Sequence, residues 1–242
     1  MANQDAALRF TLPDDQRAAA ADSFARSGVL RVPNLFASDV ADALYQHFDS
    51  ELEWSRTISQ AETAFDLSPQ AIAAMDFGTD QELLTRIHKT ATDGFQFLFD
   101  SVIVSDVAAE RKARGLLLDR VVEALNHPDS LDTFRAITGV PEIRVADGQA
   151  TRYLPGHFLT SHDDGIDGEG RVAAYVISLT KDWRPDWGGL LQFHSASGDV
   201  PLALKPCFNA ISMFRVPQEH SVSYVAPFAA APRYSITGWV RR

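Results

Sequence analysis

Residues 149–164 run Gln149-Ala150-Thr151-Arg152-Tyr153-Leu154-Pro155-Gly156-His157-Phe158-Leu159-Thr160-Ser161-His162-Asp163-Asp164, and the reading of this stretch decides the fold. Two strand candidates, 149–154 and 157–162, are parted by Pro155-Gly156, a dipeptide that turns the chain. The same texture continues toward the C-terminus. Short runs at 171–180, 189–194, 200–204, 209–214, 219–225 and 233–241, with another at 143–146, lie between Gly, Pro and Asp turns. Many short strands at this spacing predict a closed or double-sheet antiparallel architecture of the jelly-roll or cupin kind.

Upstream of Gly139-Val140-Pro141 the chain reads as mostly helical. Pro13 to Phe24 is Ala-rich and acidic at its start, as a helix N-terminus favours. Val29-Leu30-Arg31-Val32 alternates like a strand and stops at Pro33. Ser38 then reads as an N-cap ahead of Val40, Leu44, Tyr45 and Phe48 at helical spacing. Further helices are expected at 69–75, 80–92 and 107–126, and Phe95-Gln96-Phe97-Leu98-Phe99 reads as a strand or an ordered loop. The expected fold is mainly β with helical support (α+β), a double-stranded β-helix (jelly roll/cupin-like) core packed by N-terminal helices. It is read as a single domain over 1–242, with 1–140 as support and lid region and 141–242 as the catalytic core. The segments 54–68 and 93–105 are the lid candidates.

Composition narrows the function classes. The chain has 242 residues, 45% of them apolar, enough for a sizeable core. A formal charge of −10 disfavours a nucleic-acid partner, since phosphate binding needs a basic field. Cys207 is the single cysteine, which excludes an intramolecular disulfide and a cysteine-based zinc finger and suits a reducing compartment. The first residues lack the basic and apolar regions of a signal peptide, and no apolar run approaches membrane-spanning length. The expectation is a cytoplasmic protein with no membrane partner; oligomeric state is left open. No Gly-x-Ser-x-Gly stands in the chain, which removes that route to a serine nucleophile.

In an extended chain residues i and i+2 share a face, so His162 and Asp164 can address one ion while Asp163 points away. An Asp164-Gly165 turn would let the carboxylate curl inward. His220, at the start of a late strand candidate, supplies a second imidazole. Two imidazoles and a carboxylate suit a ferrous ion with open positions for a co-substrate and dioxygen, and zinc would fit the same donors. Arg233 and Ser235 would suit the far carboxylate of a dicarboxylic co-substrate. Other residues carry blander readings. Tyr153 is a half-buried strand aromatic or a cofactor contact, and His157 has the wrong strand parity for a ligand. His194 ends an apolar strand and could face the pocket, with a surface role as the default. Phe95, Phe97 and Phe99 read as core, and Gly188-Gly189 as a turn with unusual backbone angles or close packing.

Several segments carry a resemblance as a set. They are Arg152 to Asp164; Arg171-Val172-Ala173-Ala174-Tyr175-Val176; Trp187-Gly188-Gly189-Leu190-Leu191-Gln192-Phe193; Pro206-Cys207-Phe208-Asn209-Ala210; His220-Ser221-Val222; and Arg233-Tyr234-Ser235-Ile236-Thr237-Gly238-Trp239. From Tyr153 to Trp239 the chain resembles the 2-oxoglutarate and Fe(II)-dependent dioxygenases. Within them it resembles the prolyl 4-hydroxylase-like branch, including yeast-type ribosomal prolyl hydroxylases and their bacterial relatives. The resemblance implies that His162, Asp164 and His220 bind Fe(II), with 2-oxoglutarate and O2 as co-substrates and ascorbate in support. It implies that Arg233 pairs with the distal carboxylate of 2-oxoglutarate, that Ser235 adds a hydroxyl, and that Tyr153 lies beside the co-substrate. A family tyrosine late in the Arg171 strand has no counterpart; Ser178 or Thr180 stands near its place. The implied reaction is hydroxylation of an unactivated C–H bond, giving succinate and CO2. A prolyl residue in a protein or peptide is the first substrate expectation, and a free amino acid or small metabolite the second. A reading of another class is a non-redox cupin-like metal- or sugar-binding protein, which has no use for Arg233-x-Ser235.

Overall fold

The computed structural model describes residues 5–60 and 63–242. Helix α1, Asp14–Ser27, carries Asp14 and Asp15 in its first turn, where they oppose the helix dipole. It stops at Gly28, whose φ of 69° only glycine adopts without strain and whose N–H caps the Phe24 carbonyl. Strand β1, Val29–Pro33, follows, then helix α2, Ser38–Ser50, which begins at Ser38 rather than being capped by it. Where the sequence suggests a loop over 54–68, strands β2, Ser55–Gln60, and β3, Thr63–Leu67, pair as a hairpin. Positions 61–62 of that lid candidate, and Met1 to Gln4 of the segment read for a signal peptide, lie outside the described residues.

Helices α3, Pro69–Ala74, and α4, Phe77–Thr90, start on the side chains of Ser68 and Asp76, which accept from Ala71 and Thr79 backbone N–H groups. Strand β4, Phe97–Ile103, takes over from the Phe95 stretch. The single helix expected at 107–126 is two, α5, Ala108–Arg114, and α6, Leu117–Leu125. Gly115 adopts φ 65° and ends the first of them. Helix α7, Pro128–Thr138, was not anticipated; Pro128 sits in its first turn and Gly139 closes it.

Each C-terminal strand candidate has a counterpart. These are β5, Val145–Ala146; β6, Gln149–Tyr153; β7, Phe158–His162; β8, Arg171–Ser178; β9, Leu191–Phe193; β10, Leu202–Leu204; β11, Ala210–Arg215; β12, His220–Val222; and β13, Arg233–Arg241. They join β1 and the β2–β4 unit in a 13-stranded sheet whose main path is β1-β11-β8-β13-β6-β4-β7-β12-β9-β10. The sheet curls into a half-barrel with a jelly-roll core, as the sequence predicts.

Strand parity divides its two faces. Along β13, Tyr234, Ile236 and Val240 point into a core shared with Phe24, Leu44, Phe48, Leu118 and Phe134 of the helices. Trp54 stacks on Tyr234 at 5.9 Å between ring centroids, and Phe48 meets the same ring edge-on at 6.0 Å. The intervening residues Arg233, Thr237 and Trp239 face the hollow of the curl. The helices thus cover one face of the sheet and leave the other free to form a site. Among the described residues, no helix is long and apolar enough to cross a membrane.

Candidate active site

The hollow is lined by β4, β6, β7, β8, β12 and β13. His162 closes β7 and His220 opens β12, and the two are directly paired in the sheet. Asp164 reaches them from just beyond β7 by a left-handed turn, with φ 62°. It is this turn, and not pleat parity, that carries the carboxylate inward. Asp163 instead accepts the Gly165 N–H in a local turn and stays exposed.

His162 Nε2 lies 3.4 Å and His220 Nε2 3.6 Å from the Asp164 carboxylate. One ligand atom from each of the three residues falls within 4.8 Å of the others. Each imidazole is fixed from behind. His162 Nδ1 is 3.0 Å from the Thr160 carbonyl and His220 Nδ1 2.8 Å from the Gln218 carbonyl. A carbonyl only accepts, so each Nδ1 carries the proton and each Nε2 presents a lone pair to the centre. Burial, with the neighbouring His162, pushes the His220 pKa down to about 4 and keeps its ring neutral. Burial works to raise the Asp164 pKa, but hydrogen bonding with His162 and its other close contacts outweigh it and hold the carboxyl below its usual range. With each Nδ1 proton turned outward, two ring nitrogens and a carboxylate converge on one point, an arrangement a divalent cation completes. The donor set therefore fits Fe(II), and equally zinc.

Arg233 lies deeper in the same hollow and is 4% exposed. Its guanidinium sits 4.8 Å from the centroid of the Tyr153 ring. Its one side-chain hydrogen bond among the described residues goes to Ser235 Oγ at 3.4 Å, and no carboxylate pairs with it there. Desolvation by burial pulls its pKa down. Three hydroxyl residues stand abreast beside it on neighbouring strands, with Thr151 and Ser178 both opposite Ser235. Thr151 Oγ1 and Ser235 Oγ are 2.9 Å apart. Ser178 Oγ and Arg233 Nε are buried without a hydrogen-bond partner. A buried cation with spare donors around it is the complement of an anion, above all of a carboxylate that a guanidinium can grip twice.

The six residues expected at the site are therefore adjacent, with Ser235 just behind the wall that the others form. Of the two stand-ins for the absent tyrosine, Ser178 faces this polar end, whereas Thr180 Oγ1 is engaged with the Tyr234 backbone. Two readings need correction, and two residues were missed. Of Phe95, Phe97 and Phe99, Phe99 is buried with Tyr153, Trp183, Val222 and Val225 as the core reading has it, and Phe97 packs against them, whereas Phe95 is exposed; all three also line the hollow. They form an aromatic wall of the hollow, each ring 5.5 Å from the next, ending on Tyr153 at 5.5 Å and flanking His162 at 5.5 Å. His194 is not a free surface residue, since both its ring nitrogens are hydrogen-bonded. Thr151 and Arg171 were not singled out from the sequence. Arg171 bonds the Asp164 carbonyl at 3.1 Å and lies over the Trp239 ring at 3.8 Å. The strand alternation places Thr151 two residues before Tyr153 on the same face and was the signal available for it.

Residues 148–241 match the family model described as the 2OG-Fe(II) oxygenase superfamily. A prolyl-4-hydroxylase from Pseudomonas putida shares the fold, with a TM-score of 0.57 and 20% identity over 94% of this chain and 99% of that one. So does a prolyl hydroxylase from Trichoplax adhaerens, solved with a peptide fragment of the hypoxia inducible factor oxygen degradation domain; its TM-score is 0.55 at 16% identity, covering 94% and 91%. The α-ketoglutarate dependent epimerase SnoN of nogalamycin biosynthesis also aligns, with a TM-score of 0.56 and 12% identity over 94% and 83%. No curated protein matches at a significant level. The resemblance read from the sequence is borne out over this segment: residues 148–241 are similar to the 2OG-Fe(II) oxygenase superfamily, whose members use Fe(II), 2-oxoglutarate and O2, and the fold is shared with solved prolyl hydroxylases.

Proposed function

We propose that this chain hydroxylates an unactivated C–H bond of a prolyl residue in a protein or peptide, converting 2-oxoglutarate to succinate and CO2. In this reading the whole of 1–242 acts as one unit. His162, Asp164 and His220 hold Fe(II), and Arg233, Ser235 and Tyr153 hold the co-substrate. The observation that carries the reading is the buried, carboxylate-free Arg233 in the same hollow as the three-donor cluster. A metal-binding barrel without redox chemistry has no reason to bury an unpaired guanidinium there.

Bound Fe(II) and 2-oxoglutarate would supply the oxidising chemistry. The chain's own tasks follow from its geometry. The Thr160 and Gln218 carbonyls set the imidazole tautomers, so both Nε2 atoms face the metal. Arg233 anchors one end of the dicarboxylate, with Thr151, Ser178 and Ser235 offering hydroxyls around it. Tyr153 shields that end from water; burial and the nearby Asp164 charge push its phenol up to about 12, so it stays neutral and hydrogen-bonds without adding charge. The Phe95–Phe97–Phe99 wall keeps the approach to the metal apolar and dry, which suits a pyrrolidine ring.

Support for a prolyl substrate comes from the two prolyl hydroxylases that share the fold. A small-molecule substrate is the second reading, favoured by the likeness to SnoN. Anaerobic Fe(II) with 2-oxoglutarate should produce a weak visible charge-transfer band. Aerobic incubation with a peptide library should then add a mass of one oxygen at proline. A band without any peptide oxidation, together with oxidation of free amino acids or metabolites, would move the substrate to the second reading. No band and no 2-oxoglutarate turnover would sink both.

A further inference from the structure

The two strands that carry the imidazoles pair one residue out of step. His220 stands opposite His162 and Val222 opposite Leu159, so Thr160 and Ser161 of β7 face Ser221 alone. Two residues against one is a β-bulge, which bends its strand and interrupts the ladder. Thr160 makes its backbone bond elsewhere, donating its N–H to the Gln96 carbonyl at 3.0 Å. Its own carbonyl is thereby turned to the His162 ring, 3.0 Å from Nδ1. The bulge is what supplies one ligand with its orienting acceptor. A ladder interrupted at this point needs another tie, because a one-residue slip would turn His162 away from the hollow.

His194, just beyond β9, supplies such a tie. Its backbone N–H donates to the Glu219 carbonyl at 2.9 Å, which seats the residue beside β12. Its ring spans the bulge, with Nδ1 3.1 Å from Ser161 Oγ and Nε2 2.8 Å from Ser221 Oγ. Ser161 Oγ donates its one proton to Glu219 at 3.0 Å. Nδ1 of His194 must then be the donor to Ser161, and Nε2 the acceptor from Ser221. Ser221 Oγ also lies 3.3 Å from Gln192 Oε1, a second acceptor for its one proton, and the His194 ring at 2.8 Å is the nearer. Each serine is the sequence neighbour of a metal-facing histidine, so the bridge joins the two strands directly behind the donor cluster.

We propose that His194 is a positioning residue for the metal centre: by bridging Ser161 and Ser221 it locks the bulge and so fixes the relative placement of the His162 and His220 imidazoles. This rests on the metal assignment made under the proposed function. The test uses the full chain and Co(II), a redox-stable probe whose visible absorption reports binding without turnover. His194→Phe should weaken Co(II) about tenfold or more, the range of losses when the supports of metal ligands are removed. 2-Oxoglutarate affinity at saturating Co(II) should stay within about threefold of wild type, and His194→Gln, which keeps a polar bridge, should recover most of the loss. Ser221→Ala, a mild change that guards against a misfolded His194→Phe, should weaken Co(II) in the same direction. The two changes combined should be less than additive. Unchanged Co(II) affinity in both variants, or equal losses of Co(II) and 2-oxoglutarate, would overturn the proposal. Wild-type protein that binds no Co(II) would instead overturn the metal assignment beneath it.

Discussion

The guanidinium of Arg233 faces the ring of Tyr153 at 4.8 Å, on strands that pair these two residues directly. A buried arginine is ordinarily matched by a carboxylate; here the partners are an aromatic face and a row of hydroxyls, and a negative charge is wanted. Arg233→Ala should therefore raise the dissociation constant of 2-oxoglutarate by roughly 100-fold or more, the loss of a buried charge-assisted pair of about 3 kcal/mol. Metal affinity without 2-oxoglutarate should change little. Calorimetric titration of each ligand separates the two, and equal losses would remove the assigned role. Arg233→Lys should retain part of the binding but lose the two-pronged grip.

Acid should destabilise the metal-free protein through two buried histidines. Burial lowers the pKa values of His157 and His220 to about 4 in the folded chain, from the ordinary value of 6.5. Between those limits the unfolded chain takes up protons that the folded chain refuses, so stability falls as pH drops. The slope per histidine is about 1.4 kcal/mol per pH unit. Urea unfolding of the apo protein from pH 7 down to pH 4.5 should show a decline beginning near pH 6.5. His157→Asn should make that decline shallower by about one proton. An unchanged slope in the variant would mean that His157 is not the neutral, buried group described.

Gly188 and Gly189 hold the chain against the site from outside. A Cβ on Gly188, at φ 70°, would stand 2.0 Å from the Tyr224 carbonyl oxygen, a rigid backbone atom. A Cβ on Gly189 would stand 3.1 Å from Arg233 Cδ. Gly188→Ala should cost about 2–4 kcal/mol of stability, from left-handed strain and the forced backbone shift together. Gly189→Ala should be milder in stability and should also raise the dissociation constant of 2-oxoglutarate, since it presses on the arginine side chain. Chemical denaturation and ligand titration of both variants test the ranking; a reversed order would contradict these contacts.

Much of this was legible in the chain because jelly-roll strands are short, punctuated and periodic. His162, His220, Arg233 and Tyr153 fall on strands whose alternation fixes the facing side. Asp164 joins them by a turn at φ 62° and not by the pleat, and Asp164-Gly165 was its signal in the sequence. Along Phe95, Phe97 and Phe99 the core reading holds for Phe99 but misses the wall, because apolar alternation looks the same whether a strand faces a packed core or an apolar hollow. The hydroxyls of Thr151 and Ser178 gain meaning only from cross-strand neighbours, which are remote in sequence. The bulge at Thr160-Ser161 had no local signal either, because a register shift belongs to a pair of strands. Helices α5 and α6 ran together in the reading because Gly115 inside a periodic stretch does not say whether it breaks the helix or is tolerated.

Asp164 sets function and stability against each other. Its carboxylate is the anionic member of the donor cluster, and its backbone is held in the left-handed region that side-chain-bearing residues avoid. Asp164→Gly removes the anion and relieves the strain at once. Two imidazoles alone hold a divalent ion far more weakly, so Co(II) affinity should fall by at least about 100-fold. The apo protein loses the contacts that favour the ionised carboxyl and sheds roughly 1 kcal/mol of backbone strain, so it should stay close to wild type in stability, the added chain entropy of glycine included. Asp164→Ala should lose metal equally while keeping the strain, and should therefore be the less stable of the two. Thermal unfolding of the metal-free variants beside wild type reads this order. If the glycine variant proved markedly less stable than wild type, the carboxylate would be holding the fold together, and the trade of stability for metal binding at this position would be refuted.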